Sequence, residues 1–458
     1  MIAQLAVPMR WVPSILHRAR SDSLVRNSLY IMTSTVVTAG FGYVFWVIAA
    51  HAFTRQQVGI GGAVISLCST VALLTYLGPQ AILIESLPAS EYSSTWNTIL
   101  FRMCVATAGV TALVTAAIVP LLLTSKDYRI FFSAASPVLI TVAGAAAWTL
   151  VNLFNSTFIA ARRAGRFLSI QALVSAAKVL FVIPLAAVGA GSVGVVGAWV
   201  ASAFVGVAAG IAWLIPGMGL GRRPGHRPRR RVAAAVPEKH PVARRHGRHR
   251  QRPASLGTAY MRRLLGQHLT SLGGAMAPLV MPILVVIRLG VTLNAYFYIT
   301  WMVGAIFFIV SPSVATALFA EGVRMRSDLR RVVAKALRMI CVLLAPAMLV
   351  MIVGGRFVLG LFGASYAAAG YGLLVLLAIS ALPDAVSNVA VAVLRVTHRL
   401  GYSVALNVGI FVVSLVGAWL LMPTLGILGV GVTWLGAQTL GAIASLPVFA
   451  QVRRAAKP

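Results

Sequence analysis

Lys178 and Asp384 each interrupt a long apolar run, and no other residues of this chain ask so plainly for a chemical explanation. A charge at the centre of a bilayer costs about 2.5–3.5 kcal/mol on insertion scales, so it marks a substrate path, an ion path or a buried pair. Counted from the near ends of their runs at 1.5 Å per residue, both lie roughly 15 Å deep. A cation at that depth could hold a phosphate or pyrophosphate, and a carboxylate could pair with it or carry a proton. The plainer readings are a structural ion pair, or a lysine that snorkels along its stem. Pro383 frees a backbone carbonyl beside Asp384 and predicts a bend there.

A second set stands at the ends of apolar runs. Arg26 and Glu85 bracket the first pair of runs, and Arg262 and Glu321 bracket the seventh and eighth at the same separation. Cross-half ion pairs among them would close a gate, and the arginines could receive a phosphate. Interfacial anchoring and helix-end charge is the alternative for all four. Arg102, entering the third run, is a gate residue or an interfacial one, and Arg288 is read as an anchor at the opposite surface. Cys68, Cys104 and Cys341 sit singly in apolar runs, which gives no disulfide and no metal site. No GxxxxGK[ST] loop is present, so the chain has no ATPase of its own and no cofactor is implied.

The elements that must hold these residues follow from composition. Of 458 residues 59% are hydrophobic and 10% charged, and the mean hydropathy is +0.90. A soluble domain carries about 25% charged residues, so the bilayer is the solvent here. Twelve apolar runs of spanning length are predicted, at about 28–50, 58–84, 98–123, 130–160, 167–187, 193–215, 265–287, 292–318, 332–353, 366–393, 402–421 and 427–450. The first is too long for a signal h-region, although Ala50-His51-Ala52 imitates a cleavage site. With both termini inside, 32 of the 39 Lys and Arg residues fall on inner segments, as the positive-inside rule requires. The loop from Glu85 to Asn97, with two acids and no base, dissents.

The segment 217–263 carries fourteen Lys and Arg and reads as a disordered cytoplasmic linker near anionic headgroups. It lacks interleaved aromatics for base stacking, so nucleic acid is not the expected partner despite a net charge of +31.

The halves repeat. Asn155, Arg162 and Arg166 fall on Asn388, Arg395 and Arg399, and Gly194 and Trp199 fall on Gly429 and Trp434, at nearly the same offset as the Arg/Glu brackets. Six spans per half give both halves one orientation, hence a parallel repeat. The predicted division is a cytoplasmic segment 1–27, a six-helix half 28–216, the linker 217–263, a second half 264–450 and a tail 451–458. The fold class is an all-α polytopic membrane protein, two parallel six-helix repeats around a central cavity.

Particular motifs then add a resemblance. Arg26-Asn27, Val58-Gly59, Leu77-Gly78-Pro79 leading to Glu85-Ser-Leu-Pro, Leu289-Gly290 with Asn294-Ala-Tyr-Phe-Tyr, Leu359-Gly-Leu-Phe-Gly with Tyr366, and Leu425-Gly-Ile-Leu-Gly-Val-Gly occur in order. This series resembles the polysaccharide flippases of the multidrug/oligosaccharidyl-lipid/polysaccharide exporter superfamily, over nearly the whole chain except the first twenty residues and the linker. The resemblance implies a transporter in the cytoplasmic membrane, not an enzyme. It implies translocation of a polyprenyl-phosphate-linked oligosaccharide by alternating access, with polymerase and glycosyltransferases as possible partners. On that reading Lys178, Asp384, Arg26 and Arg262 bind substrate, and Glu85, Glu321 and Arg102 gate. An ion-coupled multidrug exporter of the same fold is the main alternative, and a major-facilitator transporter lacks its basic motif after the second span. A membrane glycosyltransferase would want paired carboxylates on an outer loop, where Asp127 is the single acid.

Overall fold

In lipid every backbone amide and carbonyl must be satisfied within its own segment, so long apolar runs become helices. The structure is a computed structural model that describes residues 23–86, 94–161, 163–217, 258–324 and 329–454. The described residues form helices and no strand: α1 Ser23–Ala52, α2 Arg55–Ser86, α3 Ser94–Leu122, α4 Lys126–Phe131, α5 Ala135–Ala160, α6 Ala164–Ala187 and α7 Gly191–Gly217 in the first half. In the second half come α8 Thr258–Leu289, α9 Val291–Gly304, α10 Phe307–Arg324, α11 Leu329–Gly360, α12 Ala364–Val396, α13 Leu400–Leu425 and α14 Ile427–Arg454. Eleven of these can cross a membrane alone, and α9 with α10 makes a twelfth span bent by 41°. The chain is a multi-pass membrane protein.

Two predicted runs are divided. The run 130–160 splits into the short α4 and the spanning α5. Pro137 lies in the first turn of α5, where its missing amide would be unpaired in any case, so the helix begins there. The run 292–318 breaks at Ala305 and Ile306. Pro312 withholds an amide from the turn that follows, and Phe308 N closes a tighter bond to Ala305 O at 3.0 Å. Gly304 lies against α12, where a Cβ would stand 2.7 Å from Leu377 Cδ1.

The duplication is visible in packing. α1 on α6, α3 on α5, α5 on α7 and α6 on α7 recur as α8 on α13, α11 on α12, α12 on α14 and α13 on α14. α2 on α5 recurs as the broken pair α9 and α10 on α12. Matching arginines tie matching helix ends: Arg166 donates to the carbonyl of Trp213 at 2.7 Å, and Arg399 to Gln451 Oε1 at 2.5 Å. The repeated tryptophans each join an aromatic pair, Trp199 with Trp148 and Trp434 with Trp301, both at 5.0 Å. Between halves the principal contacts are α2 with α8 and α2 with α9.

Candidate functional site

The interface between the halves is asymmetric along the helix axes. At the end carrying the short turns, α2 and α9 touch backbone to backbone. Gly59 makes this possible: a Cβ there would meet the Val291 carbonyl oxygen inside van der Waals contact and lie 3.1 Å from Ala295 N. Asn294 Nδ2 donates to the Gly59 carbonyl at 2.7 Å, fully buried. Asp127 on α4 accepts the Val291 amide at 3.1 Å. Aromatic rings fill the space around these bonds. Trp46 of α1 lies 4.7 Å from Tyr298, Tyr43 lies 4.9 Å from Phe362, and Arg55 stands over Tyr296 at 5.9 Å. One apolar cluster draws Phe45, Val58, Val64 and Phe132 from the first half together with Val286, Ala295, Ile299 and Phe362 from the second. Tyr128 and Phe131 anchor α4 in that cluster, and burial, with the neighbouring Asp127 carboxylate, pushes the Tyr128 phenol above its usual range.

Toward the other end the halves part. On α2 the buried stretch 58–68 continues to Ala72, after which the helix becomes half-exposed, with Leu74 at 42%. On α8 the stretch 281–283 is buried, whereas Leu269 and Gly274 are exposed. Leu83, Leu100, Phe154, Phe158, Ile170 and Leu214 form a cluster from the first half alone. Among the described residues the contacts between halves thus lie at the short-turn end, and the facing helices become exposed toward the end where the basic segments attach.

Asp384 faces a cavity of about 200 Å³ within the second half, beside the bend between α9 and α10. Ser311 Oγ, one turn past the bend, donates to Asp384 Oδ2 at 2.5 Å. Asn388, Asn407 and Gln438 supply further polar lining, and Trp301, Phe308, Phe411 and Trp434 supply four rings. Trp434 Nε1 is buried with no hydrogen-bond partner among the described residues. A carboxylate held by a hydroxyl among amides and rings can take a proton, a cation or a protonated amine.

Lys178 is placed elsewhere. It is buried on α6, with Nζ 6.0 Å from the Trp148 ring, and no carboxylate lies within 4.0 Å of it among the described residues. The direct pairing of Lys178 with Asp384 that matched depth invites is therefore not formed, because each packs into its own half. Among the described residues Glu321 pairs within its half, with Lys335 of α11 at 4.0 Å. Arg102 is exposed on α3, which packs on α5 and α2. Arg288 stacks on Trp419 at 4.8 Å, an anchor. The side chains of Arg26, Glu85 and Arg262 lie outside the described residues, as do 218–257 of the linker. Gly59, Asn294 and Ser311 have no assigned role in the sequence reading. Their signal was a glycine and an asparagine near the starts of the paired spans, in the motifs Val58-Gly59 and Leu289-Gly290.

No protein-family model and no curated protein matches the sequence. Solved structures do. One is described as the inward-facing conformation of a multidrug resistance MATE family transporter of the MOP superfamily. It aligns at a TM-score of 0.65 and 13% identity over 91% of this chain and 95% of that one. A MOP superfamily transporter from Pyrococcus furiosus, described as having a binding pocket of reverse polarity that suggests a different function, aligns at 0.59 and 14% over 95% and 96%. An outward-facing MATE family transporter aligns at 0.50 and 14% over 97% and 94%. Identities this low speak to the fold alone, and the fold is that of the MATE transporters.

Proposed function

We propose that this chain is an alternating-access transporter that moves a polyprenyl-phosphate-linked oligosaccharide from the cytoplasmic to the outer leaflet. The observation that carries alternating access is the asymmetric interface, sealed by α2, α8 and α9 at one end and parted at the other. The positive-inside rule favours a cytoplasmic location for the parted end, and on this reading the arrangement is an inward-open state. The excess of Lys and Arg on segments at that end favours an anionic headgroup, and the cleft gives a polar glycan a hydrated path. Arg26 and Arg262 receive the phosphate at the mouth, Lys178 is the deep cation of the first half, and Asp384 couples an ion or proton to the cycle. Glycosyltransferases would supply such a substrate and a polymerase would consume it.

The second reading is export of an organic cation. It is favoured by the Asp384 cavity, where a carboxylate stands among four aromatic rings. Proteoliposomes separate the two. A lipid-linked glycan that changes leaflet only with the protein present, with no protein-dependent movement of cationic dyes, supports the flippase. Dye accumulation without glycan movement assigns the chain to the exporters.

A further inference from the structure

We infer that Asp127 is a positioning residue of the transport cycle, capping α9 from the opposite half and so setting how long the outer face stays shut. A helix starts with amides that have no intrahelical partner, and its N-cap side chain ordinarily takes one of them. The N-cap of α9 is Gly290, which has no side chain to offer and adopts φ 87°, ψ 169°, a conformation that L side chains rarely enter. The acceptor comes from Asp127 Oδ2, 3.1 Å from Val291 N. The same oxygen lies 3.3 Å from where a Cβ on Gly290 would stand, so the missing side chain also makes room for it.

The carboxylate is fixed to the first half. α4 is pinned by buried Tyr128 and Phe131, and Phe132 follows at 4.9 Å from Phe131. A negative charge at a helix N-terminus is further favoured by the helix dipole. One turn along α9, Asn294 returns a bond to Gly59 of α2. Opening the outer face must break both bonds, and the Val291 amide then exchanges the carboxylate for water. The cap is a tie between halves by construction, since α9 cannot cap itself.

This inference rests on the alternating-access reading, and the experiment separates the two. The full chain, with Cys341 replaced by Ser, is reconstituted in nanodiscs. Spin labels are placed at exposed Val188 and Leu425, at helix C-terminal ends of opposite halves on the sealed side. Distance distributions are recorded for wild type, Asp127→Ala and Asp127→Asn. Loss of a cap corresponds to roughly a fivefold rise in the ratio of outer-open to outer-closed molecules, and Asn, an equally good cap, should stay within about twofold of wild type. Asp127→Ser, too short to bridge the gap, carries the same expectation as Ala if the Ala variant does not fold. Two populations in wild type with an unchanged ratio in Asp127→Ala or Asp127→Ser overturn the cap alone. One closed population in every variant, with or without substrate, overturns alternating access as well.

Discussion

Gly59→Ala is the most direct challenge to the sealed interface. The added Cβ would stand 2.7 Å from the Val291 carbonyl carbon and 3.1 Å from Ala295 N, with the Val291 oxygen nearer still. These are backbone atoms of a buried helix and cannot rotate aside, so α2 and α9 must separate. Overpacking of this kind costs about 1–3 kcal/mol. Separation also strains the Asn294 bond to the Gly59 carbonyl, worth about 1 kcal/mol net. The closed state then loses roughly 2–4 kcal/mol relative to the open one, a shift of about thirtyfold to a thousandfold in their ratio. The same label pair at Val188 and Leu425 reads this as a move to the longer distance, and transport slows because the carrier waits outward-open. Gly61→Ala is the control. Its Cβ would press on Val195 Cγ1 at 2.7 Å, within the first half, and should lower stability without moving the ratio. A Gly59→Ala protein with wild-type distances and rate would refute the idea that backbone contact gates the outer face.

Lys178→Met should raise the unfolding temperature by a few degrees, because a buried cation with no carboxylate in reach is costly, yet reduce flipping of an anionic lipid more than tenfold. A fall in stability would reveal a structural ion pair instead. Asp384→Asn should abolish ion-driven accumulation while substrate exchange at equilibrium persists, as counterflow assays distinguish. Ser311→Ala, which removes one hydrogen bond to that carboxylate, should weaken coupling by about tenfold to a hundredfold. Replacing most arginines of the linker 217–263 with Ser and Gly should leave flipping in proteoliposomes largely intact, and complete loss in a correctly inserted variant would refute its reading as a tether.

The spans and the duplication were legible because apolar length, glycine and proline punctuation and the bias of Arg and Lys are local features of the chain. The break between α9 and α10 was not, since the run 292–318 is apolar throughout and Pro312 lies beyond the bend it promotes. Asp384 stood out by the cost of burying a charge, but its partner Ser311 depends on how α10 rotates against α12. Matched depth suggested a pair with Lys178. Depth fixes height along a helix and says nothing of the direction a side chain faces, and each half buries its own. Asp127 was visible merely as the sole acid of the outer loops. Its meaning comes from a glycine at the N-cap of a helix more than 160 residues away.

The sealed layer also has an electrical consequence. On α2 the buried stretch runs from Val58 to Ala72, interrupted by half-buried Ser69, roughly 22 Å at 1.5 Å per residue. In the inward-open state of the alternating-access reading, water between the halves would carry the potential of the parted side inward to the edge of that layer, so the membrane field would fall mainly across the seal. A charge resting in the cleft therefore feels little voltage, and one carried past the seal feels nearly all of it, about 2.3 kcal/mol per elementary charge for each 100 mV. Voltage should act on the step that rearranges α2 against α9 and leave binding from the open side nearly untouched.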